Sequence, residues 1–154
     1  MIRTERRLRL SRWLIALILS FIWGNSLLPA EYSRALSMWV KSLLEPLFPG
    51  SSGGSPEQGH GLLRKMAHFL EFAALGAALS WRFAMEKRKK IMPLGCGIGA
   101  ACVDETIQLY VPGRGAGLKD VAIDTCGVMT GILLLLSGHY LIEKLKQIKG
   151  ERTP

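Results

Sequence analysis

Residues 118–142 read LKDVAIDTCGVMTGILLLLSGHYLI, a stretch long and apolar enough to cross a membrane as one helix. About 20 apolar residues in a helix span the hydrocarbon core of a bilayer. Residues 62–83 and 91–110 form two more stretches of that length, and a shorter one covers residues 13–28. A soluble domain of this size does not need four such segments. The sequence therefore predicts an all-α integral membrane protein, a four-helix bundle.

The composition supports one membrane domain over residues 1–154. The chain is 49% hydrophobic and 21% charged, and its mean hydropathy is +0.22. Disordered chains are poor in apolar residues throughout, so disorder is excluded. A net charge of +8 invites a nucleic-acid interpretation. The basic residues, however, flank the apolar segments and leave no folded basic face, so we expect no nucleic-acid partner.

The distribution of lysine and arginine predicts the orientation of the chain. With the N-terminus inside the cell, 14 of the 20 basic residues fall on the cytoplasmic side and 6 on the outer side. Because cytoplasmic loops carry the excess of such residues, both termini are predicted to be cytoplasmic. The run at residues 87–90, KRKK, then acts only on topology. The basic N-terminus also fits a cleaved signal peptide, but residues 29–31, PAE, lack a clean cleavage site, which favours an uncleaved helix.

The first outer loop, residues 29–61, has two parts. Residues 32–48 place apolar side chains at close to helical spacing and predict an amphipathic helix in the outer interface, with Trp39 at headgroup depth. Packing on the bundle as a lid is the alternative. Pro46 is expected to end or kink this helix. Residues 49–56, PGSSGGSP, predict a flexible linker.

The three cysteines, Cys96, Cys102 and Cys126, all lie inside apolar segments. An odd number of cysteines without a C-x-x-C spacing argues against a disulfide framework and against a zinc or redox site. We expect them to be small, buried packing residues.

Ionisable residues are rare in membrane helices, where they are usually functional or paired. Here they gather near the outer ends of three predicted helices and the turn between two of them: Lys65, His68 and Glu71; Asp104, Glu105 and Gln108; Arg114; Asp120 and Asp124. At 1.5 Å per residue, His68, Asp104 and Asp124 lie roughly 9–10 Å from the outer ends of their helices. The sequence therefore predicts one polar layer on the outer side.

Glycines below this layer indicate which helix faces meet. Gly127 and Gly131 continue the stripe of Asp124 along one face of the last helix. Small residues at this spacing let another helix approach closely, so the stripe is expected to face the bundle interior. Gly95 and Gly99 predict a similar approach on the third helix.

Catalytic roles are predicted for His68, Glu71, Asp104 and Asp124. A buried histidine beside a carboxylate can act as a general acid or base, so His68 with Glu71 or Asp104 would move protons. The alternative is structural, with these side chains hydrogen-bonded between helices.

Substrate-binding roles are predicted for Lys65, Glu105, Gln108, Arg114 and Asp120. The glycine-rich turn at residues 111–117 offers backbone N–H groups and the Arg114 guanidinium, which can bind a phosphate or carboxylate. Lys65 adds a second positive charge. Alternatively, the carboxylates pair with Arg114, Lys65 and Lys119, and Asp120 suits the first turn of a helix.

No compact metal-ligand motif is present, and the sequence predicts no cofactor. If a divalent cation bound here, several carboxylates with one histidine would suit Mg²⁺, Ca²⁺ or Mn²⁺ better than zinc.

Four blocks occur in the order RKMAHFLEF at residues 64–72, DETIQ at 104–108, PGR at 112–114 and DVAIDTCG at 120–127. Over residues 62–131 they resemble the VanZ-like family of small bacterial membrane proteins, whereas the first helix and outer loop resemble it only in topology. The family often has asparagine where this chain has Asp124, which implies a polar role there rather than an acid/base role. The namesake is associated with resistance to teicoplanin, a lipoglycopeptide that binds cell-wall precursors, so the resemblance implies a cell-envelope role.

Three classes of function remain open from the sequence. The first is a protein that binds, or also chemically modifies, an outer-leaflet headgroup such as a phospholipid, a polyprenyl phosphate or a lipid-linked wall precursor. The second is a non-catalytic envelope or partner-binding protein that shields such lipids. The third, a small proton-coupled transporter, would need polar groups in the cytoplasmic half or a homodimer. Whether the protein is an enzyme is left open, and its expected location is the bacterial cell membrane, as a multi-pass protein.

Overall fold

The computed structural model describes residues 2–44, 56–86 and 91–149, and these residues form five α-helices and no strand. In chain order they are α1 Ile2–Leu27, α2 Ala30–Leu44, α3 Pro56–Met85, α4 Met92–Leu109 and α5 Leu118–Ile148. The all-α prediction is confirmed. Helices α1 and α3 begin well before their apolar segments. In α1 the added residues include leucine, arginine and glutamate, which favour a helix whether or not a segment is apolar.

Three sequence predictions fall wholly or mostly outside the described residues. These are the helix end near Glu45 and Pro46, the linker as far as Ser55, and the role of the basic run at residues 87–90.

The crossing of α3 and α5 is the tightest contact of the fold. Gly127 lies against the backbone carbonyl of Phe69, and Gly131 lies against that of Ala73, so a Cβ atom at either glycine would collide with α3. Gly76 of α3 is equally close to the α5 backbone. The close approach predicted at Gly127 and Gly131 is therefore found, and it brings the polar residues one turn above into the same interface.

Helix α4 meets α5 through a glycine that the sequence did not single out. A Cβ atom at Gly97 would collide with the Val128 side chain. Gly95 and Gly99 are exposed, and no described atom outside their own surroundings lies within 4 Å of a Cβ placed on either. A close approach of another described helix of this chain at Gly95 and Gly99 is thus not found, while an approach between chains stays a prediction. Two residues turn a helix by about 200°, so these glycines lie on the far side of α4.

The apolar core lies below the polar layer, where α1, α3 and α5 meet. Its largest side chains are Ile22 from α1, Phe72 and Leu75 from α3, and Val128 from α5, and each is fully buried. Close-packed cores of this kind hold the relative positions of helices to within fractions of an ångström. The core therefore fixes the geometry of the polar layer above it.

Large apolar side chains cover the outside of the helices. Trp13, Leu17 and Phe21 form an exposed stripe on α1, and Leu133 and Leu134 are exposed on α5. Water-soluble monomers rarely expose contiguous apolar patches of this size. The outer surfaces of α1 and α5 are therefore those expected of helices in an apolar environment.

Two of the described helices are long and apolar enough to cross a membrane by length and composition alone. They are Thr4–Leu27, with a mean hydropathy of 1.4, and Leu118–Ile148, with a mean hydropathy of 1.8. Helices α3 and α4 carry most of the charged residues of the polar layer, which lowers their hydropathy.

The three cysteines of the described chain are free thiols, as expected, but all three are exposed. The prediction that Cys96, Cys102 and Cys126 are buried packing residues is wrong. In helices that are apolar on every side, an apolar sequence context does not identify the face that packs.

Helix α2 is linked to the α4–α5 turn at its N-terminal end. The Ala30 N–H donates to the carbonyl of Pro112, at 3.4 Å, and so ties α2 to the α4–α5 turn. The large side chains Tyr32, Leu36 and Trp39 remain exposed. This arrangement does not bury the apolar face of α2 as the lid interpretation requires.

Candidate functional site

Three residues from three helices form the centre of the polar layer: His68 of α3, Asp104 of α4 and Asp124 of α5. Each offers an imidazole nitrogen or carboxylate oxygen, and these atoms all lie within 4.8 Å of one another. His68 Nδ1 is 3.7 Å from Asp104 Oδ2, and the two side chains are 12% and 0% exposed. Asp124 is 1% exposed. The structure thus brings together three of the four residues predicted to be catalytic.

The cluster is not satisfied by the described part of the chain. His68 Nδ1, Asp104 Oδ1 and Asp124 Oδ2 are buried and have no hydrogen-bond partner among the described residues. Buried polar atoms in folded proteins nearly always have a partner, so each exception needs an explanation. These three atoms lie close together, so the cluster has hydrogen-bonding or ligand capacity that the described chain does not use.

Gln108 holds the Asp104 carboxylate from the next turn of α4. Its Nε2 donates to Asp104 Oδ2 at 2.8 Å, with longer contacts of 3.4 Å to Glu105 Oε1 and to the Ser26 hydroxyl of α1. The amide engages one oxygen of Asp104 and leaves the other free. Gln108 therefore acts on the site by positioning Asp104.

Glu105 joins α4 to the start of α5. Its Oε2 accepts a hydrogen bond from the Gly117 N–H at 2.8 Å, and the side chain is buried. A carboxylate at a helix N-terminus is favourable because the backbone N–H groups there have no partner within the helix. Glu105 was predicted to bind substrate, and the structure gives it a partner inside the chain.

Glu71 faces α1 rather than His68. Its Oε1 accepts from Asn25 Nδ2 at 3.0 Å, and its Oε2 is buried without a partner among the described residues. Of the two carboxylates expected to work with His68, it is Asp104 that lies against the imidazole.

Arg114 caps the end of α1. Its Nε donates to the Leu28 carbonyl at 2.8 Å, and its Nη2 donates to the Asn25 carbonyl at 2.7 Å. Nη1 is buried and has no partner among the described residues. Burial, and then the positive charge of Arg64, lower the pKa of Arg114 from its usual value, although arginine stays protonated in proteins. Two of its donors thus position the chain, which leaves Nη1 for a ligand.

Lys65 and Asp120 form an ion pair at the outer edge of the layer, with 3.6 Å between Nζ and Oδ1. Both side chains are partly exposed. Lys119, expected as a further partner for the carboxylates, is exposed. An exposed pair of this kind contributes little to stability.

Arg64 lies in one of the sequence blocks but was predicted to have no role in the site, and it borders three cavities at or near the cluster. A small one, of about 10 Å³, is shared with His68 and Asp124. A second, of about 70 Å³, lies beside Glu71 and Arg114. Arg64 lies one turn above His68 on α3, and this spacing was the available signal.

The largest of these cavities is an open groove of about 400 Å³ between α2, α3 and the α4–α5 turn. Its lining includes Ser33, Arg34, Ser37, Arg64 and Gly113. We call this the arginine groove. Arg34, like Asn25 and Ser26, was missed because it lies outside the predicted membrane helices or at the end of one, where a polar residue is unremarkable.

A family model described as VanZ/LLP1 matches residues 11–141. The match includes α1 from residue 11 onward and the outer loop, and it contains all nine residues predicted for the site. No curated protein and no solved structure matches the chain. Because the match covers most of the sequence, it shows the family, and the chain belongs to the VanZ/LLP1 family.

Proposed function

We propose that this chain is a multi-pass cell-envelope protein that binds an anionic, lipid-linked headgroup at the outer leaflet. The observation that carries the proposal is the position of Arg64, which borders both the arginine groove and the small cavity above His68 and Asp124. Because Arg64 lines both, a headgroup in the groove would lie next to the cavity beside the cluster.

In this proposal α1, α3, α4 and α5 cross the membrane, and both termini are cytoplasmic. The exposed apolar stripes of α1 and α5 support contact with lipid. Helix α4 has 18 residues, a length of about 27 Å, which is close to the hydrocarbon thickness. The excess of lysine and arginine on the side of the termini supports the orientation.

The side chains of α2 support a position of the site at the depth of the outer-leaflet headgroups. Its exposed Trp39 and Tyr32 are residue types that favour the headgroup region. The opposite side of α2 contributes Ser33, Arg34 and Ser37 to the arginine groove. A lipid headgroup would therefore meet the groove at its own depth in the membrane.

The charges of the site fit a phosphate. Arg34 and Arg64 line the groove, and guanidinium groups bind phosphate through charge-assisted, bidentate hydrogen bonds. Lys65 and Asp120 lie at the edge, and the free Nη1 of Arg114 lies beside the second cavity. The groove has a volume in the usual range of ligand sites, about 300–1,000 Å³.

If the headgroup is also modified, His68 is the residue that moves a proton, and Asp104 holds its imidazole. If it is only bound, the protein shields the lipid. The hydrogen bonds of Glu71, Glu105 and Arg114 within the chain favour this second form, because they commit three of the predicted site residues to positioning. Either form would lower the access of a lipoglycopeptide such as teicoplanin to its target, as the family resemblance implies.

The test is native mass spectrometry of the purified chain with identification of the lipids it retains. We expect an anionic or polyprenyl-phosphate lipid on the wild type and a loss of at least about tenfold, or about 1.4 kcal/mol, in Arg64→Gln. Arg12→Gln is the matched control, because Arg12 is exposed at the other end of α1. Equal lipid retention in all three proteins would contradict the proposal.

Turnover separates the two forms. The identified lipid is incubated with the wild type and with His68→Ala, and its mass is followed. A mass change that only the wild type produces shows an enzyme. Binding by both proteins without any change shows a shielding protein.

A further inference from the structure

We propose that His68, Asp104 and Asp124 bind one divalent transition-metal ion, of the Mn²⁺ or Zn²⁺ type. The sequence has no compact ligand motif, and no metal was expected from it. The structure supplies the motif in space, because the three residues come from α3, α4 and α5 and present ligand atoms within 4.8 Å of one another.

The distances fit after a small adjustment. Metal–ligand bonds of about 2.0–2.2 Å place neighbouring ligand atoms roughly 3–3.5 Å apart. The 3.7 Å between His68 Nδ1 and Asp104 Oδ2 is already near this value. The ligand atoms all lie within 4.8 Å of one another, so side-chain rotations that move them by about 1 Å would reach this spacing.

Burial and missing partners provide the independent argument. Asp104 and Asp124 are 0% and 1% exposed, and one oxygen of each has no partner among the described residues. Two neighbouring buried carboxylates are costly unless an opposite charge compensates them. A divalent ion carries the two positive charges that this pair lacks.

Two of the three basic side chains near the cluster have partners elsewhere in the described chain. Lys65 pairs with Asp120, and Arg114 donates to carbonyl groups of α1 and the residue after it. Arg64 lines the cavity above but forms no ion pair with either aspartate among the described residues. Compensation by the protein itself is therefore incomplete.

The ligand set selects the class of ion. Mg²⁺ and Ca²⁺ prefer sites made of oxygen ligands alone. A set of one imidazole nitrogen and two carboxylate oxygens suits transition metals such as Mn²⁺ and Zn²⁺. The structure therefore favours Mn²⁺ or Zn²⁺, whereas the residue composition alone favoured Mg²⁺, Ca²⁺ or Mn²⁺ over zinc.

The surroundings resemble those of a catalytic metal site rather than a structural one. Gln108 orients Asp104 from outside the cluster, as supporting hydrogen bonds do in metalloproteins. The cavity of about 10 Å³ beside His68 and Asp124 has room for one water. Three protein ligands with one open position are typical of catalytic zinc. Only this last step rests on the proposed function, since a headgroup phosphate would then share the ion with the cluster. With the ion bound, His68 acts as a ligand and not as the residue that moves a proton.

The experiment uses the full chain in nanodiscs, stripped of metal with a chelator. Zn²⁺ and Mn²⁺ are titrated separately, with binding followed by elemental analysis and by electron paramagnetic resonance. We expect about one ion per chain and affinity losses above about 100-fold for Asp104→Asn, Asp124→Asn and His68→Ala. Glu143→Gln changes an exposed carboxylate of α5, the helix that carries Asp124, and this variant should bind the metal as the wild type does.

The inference is overturned if the wild type binds no more metal than the Asp104→Asn/Asp124→Asn double variant, which would leave a proton shared by the two aspartates as the compensating charge. Should these variants not fold, nitrogen hyperfine coupling to Mn²⁺ in the wild type decides. Its absence at saturation rules out His68 as a ligand. Lipid retention in the Arg64→Gln test does not need the metal, so the two proposals fail separately.

Discussion

The α3–α5 crossing and the polar layer above it occupy the same helices but differ in how complete they are. At Gly127 the two backbones touch with no room for a methyl group. Three residues earlier, at Asp124, a buried oxygen has no partner in the described chain. The crossing is therefore closely packed, whereas the layer keeps buried polar atoms without partners in the described chain, and substitutions should separate the two.

The largest effect is expected at the crossing. In Gly131→Val the new side chain would overlap the backbone of Ala73, which cannot move without separating α3 from α5. Overpacking usually costs about 1–3 kcal/mol, and a collision with backbone belongs at or above the upper end of this range. We expect little monodisperse protein on size-exclusion chromatography.

Gly138→Val is the matched control, because no described atom would lie near its Cβ. It carries the same propensity cost for a β-branched residue in a helix. If both variants behave alike, the crossing is not the close contact described here.

The next effect is on binding alone. Asp124→Asn removes a negative charge from a buried site without changing its shape, and a buried charge without a partner is a cost to the folded state. We expect an unfolding midpoint at or above that of the wild type, together with a loss of metal affinity above about 100-fold. A drop in midpoint like that of Gly131→Val would make the layer as structural as the crossing.

A smaller effect is expected where the layer meets α1. Arg114→Lys keeps the charge but loses the fork that reaches the Asn25 and Leu28 carbonyls. Loss of these hydrogen bonds should lower the unfolding free energy by about 1–3 kcal/mol, measured by thermal unfolding in detergent. Wild-type stability combined with lost lipid binding would instead show that Arg114 serves the ligand first.

The smallest effect is expected on the outer face of α4. Gly99→Ala should stabilise the helix by about 0.5–1 kcal/mol, because the position is open and alanine restricts the unfolded chain. Gly97→Ala should not, since its methyl group would meet the Val128 side chain. Equal unfolding midpoints for the two variants would contradict the packing of α4 on α5.

The sequence predicted the depth of the polar residues, because depth depends on distance along a helix. The common depth of His68, Asp104 and Asp124 follows from their spacing to the helix ends, and the structure places their ligand atoms together. The spacing of Asp104 and Gln108 likewise gave two residues that the structure shows hydrogen-bonded.

The sequence could not predict which side of each helix faces its neighbours, because this depends on the rotation of the helix about its axis. Helices that are apolar all round carry no hydrophobic face to orient them, so it was Gly97 and not Gly95 or Gly99 that met α5. The partners supplied by α1 were missed for a related reason. Asn25 and Ser26 contact Glu71 and Gln108 across long stretches of sequence, which no local pattern reports.

The three exposed cysteine thiols can report on the environment of the helices that carry them. A thiol reacts with a water-soluble maleimide through its thiolate. The thiolate forms only where the thiol is in contact with water. Cys96, Cys102 and Cys126 are exposed on α4 and α5, so in a bilayer their geometric exposure would be exposure to hydrocarbon. Slow labelling in intact membranes that becomes fast after denaturation would show that both helices are immersed, without introducing a foreign residue.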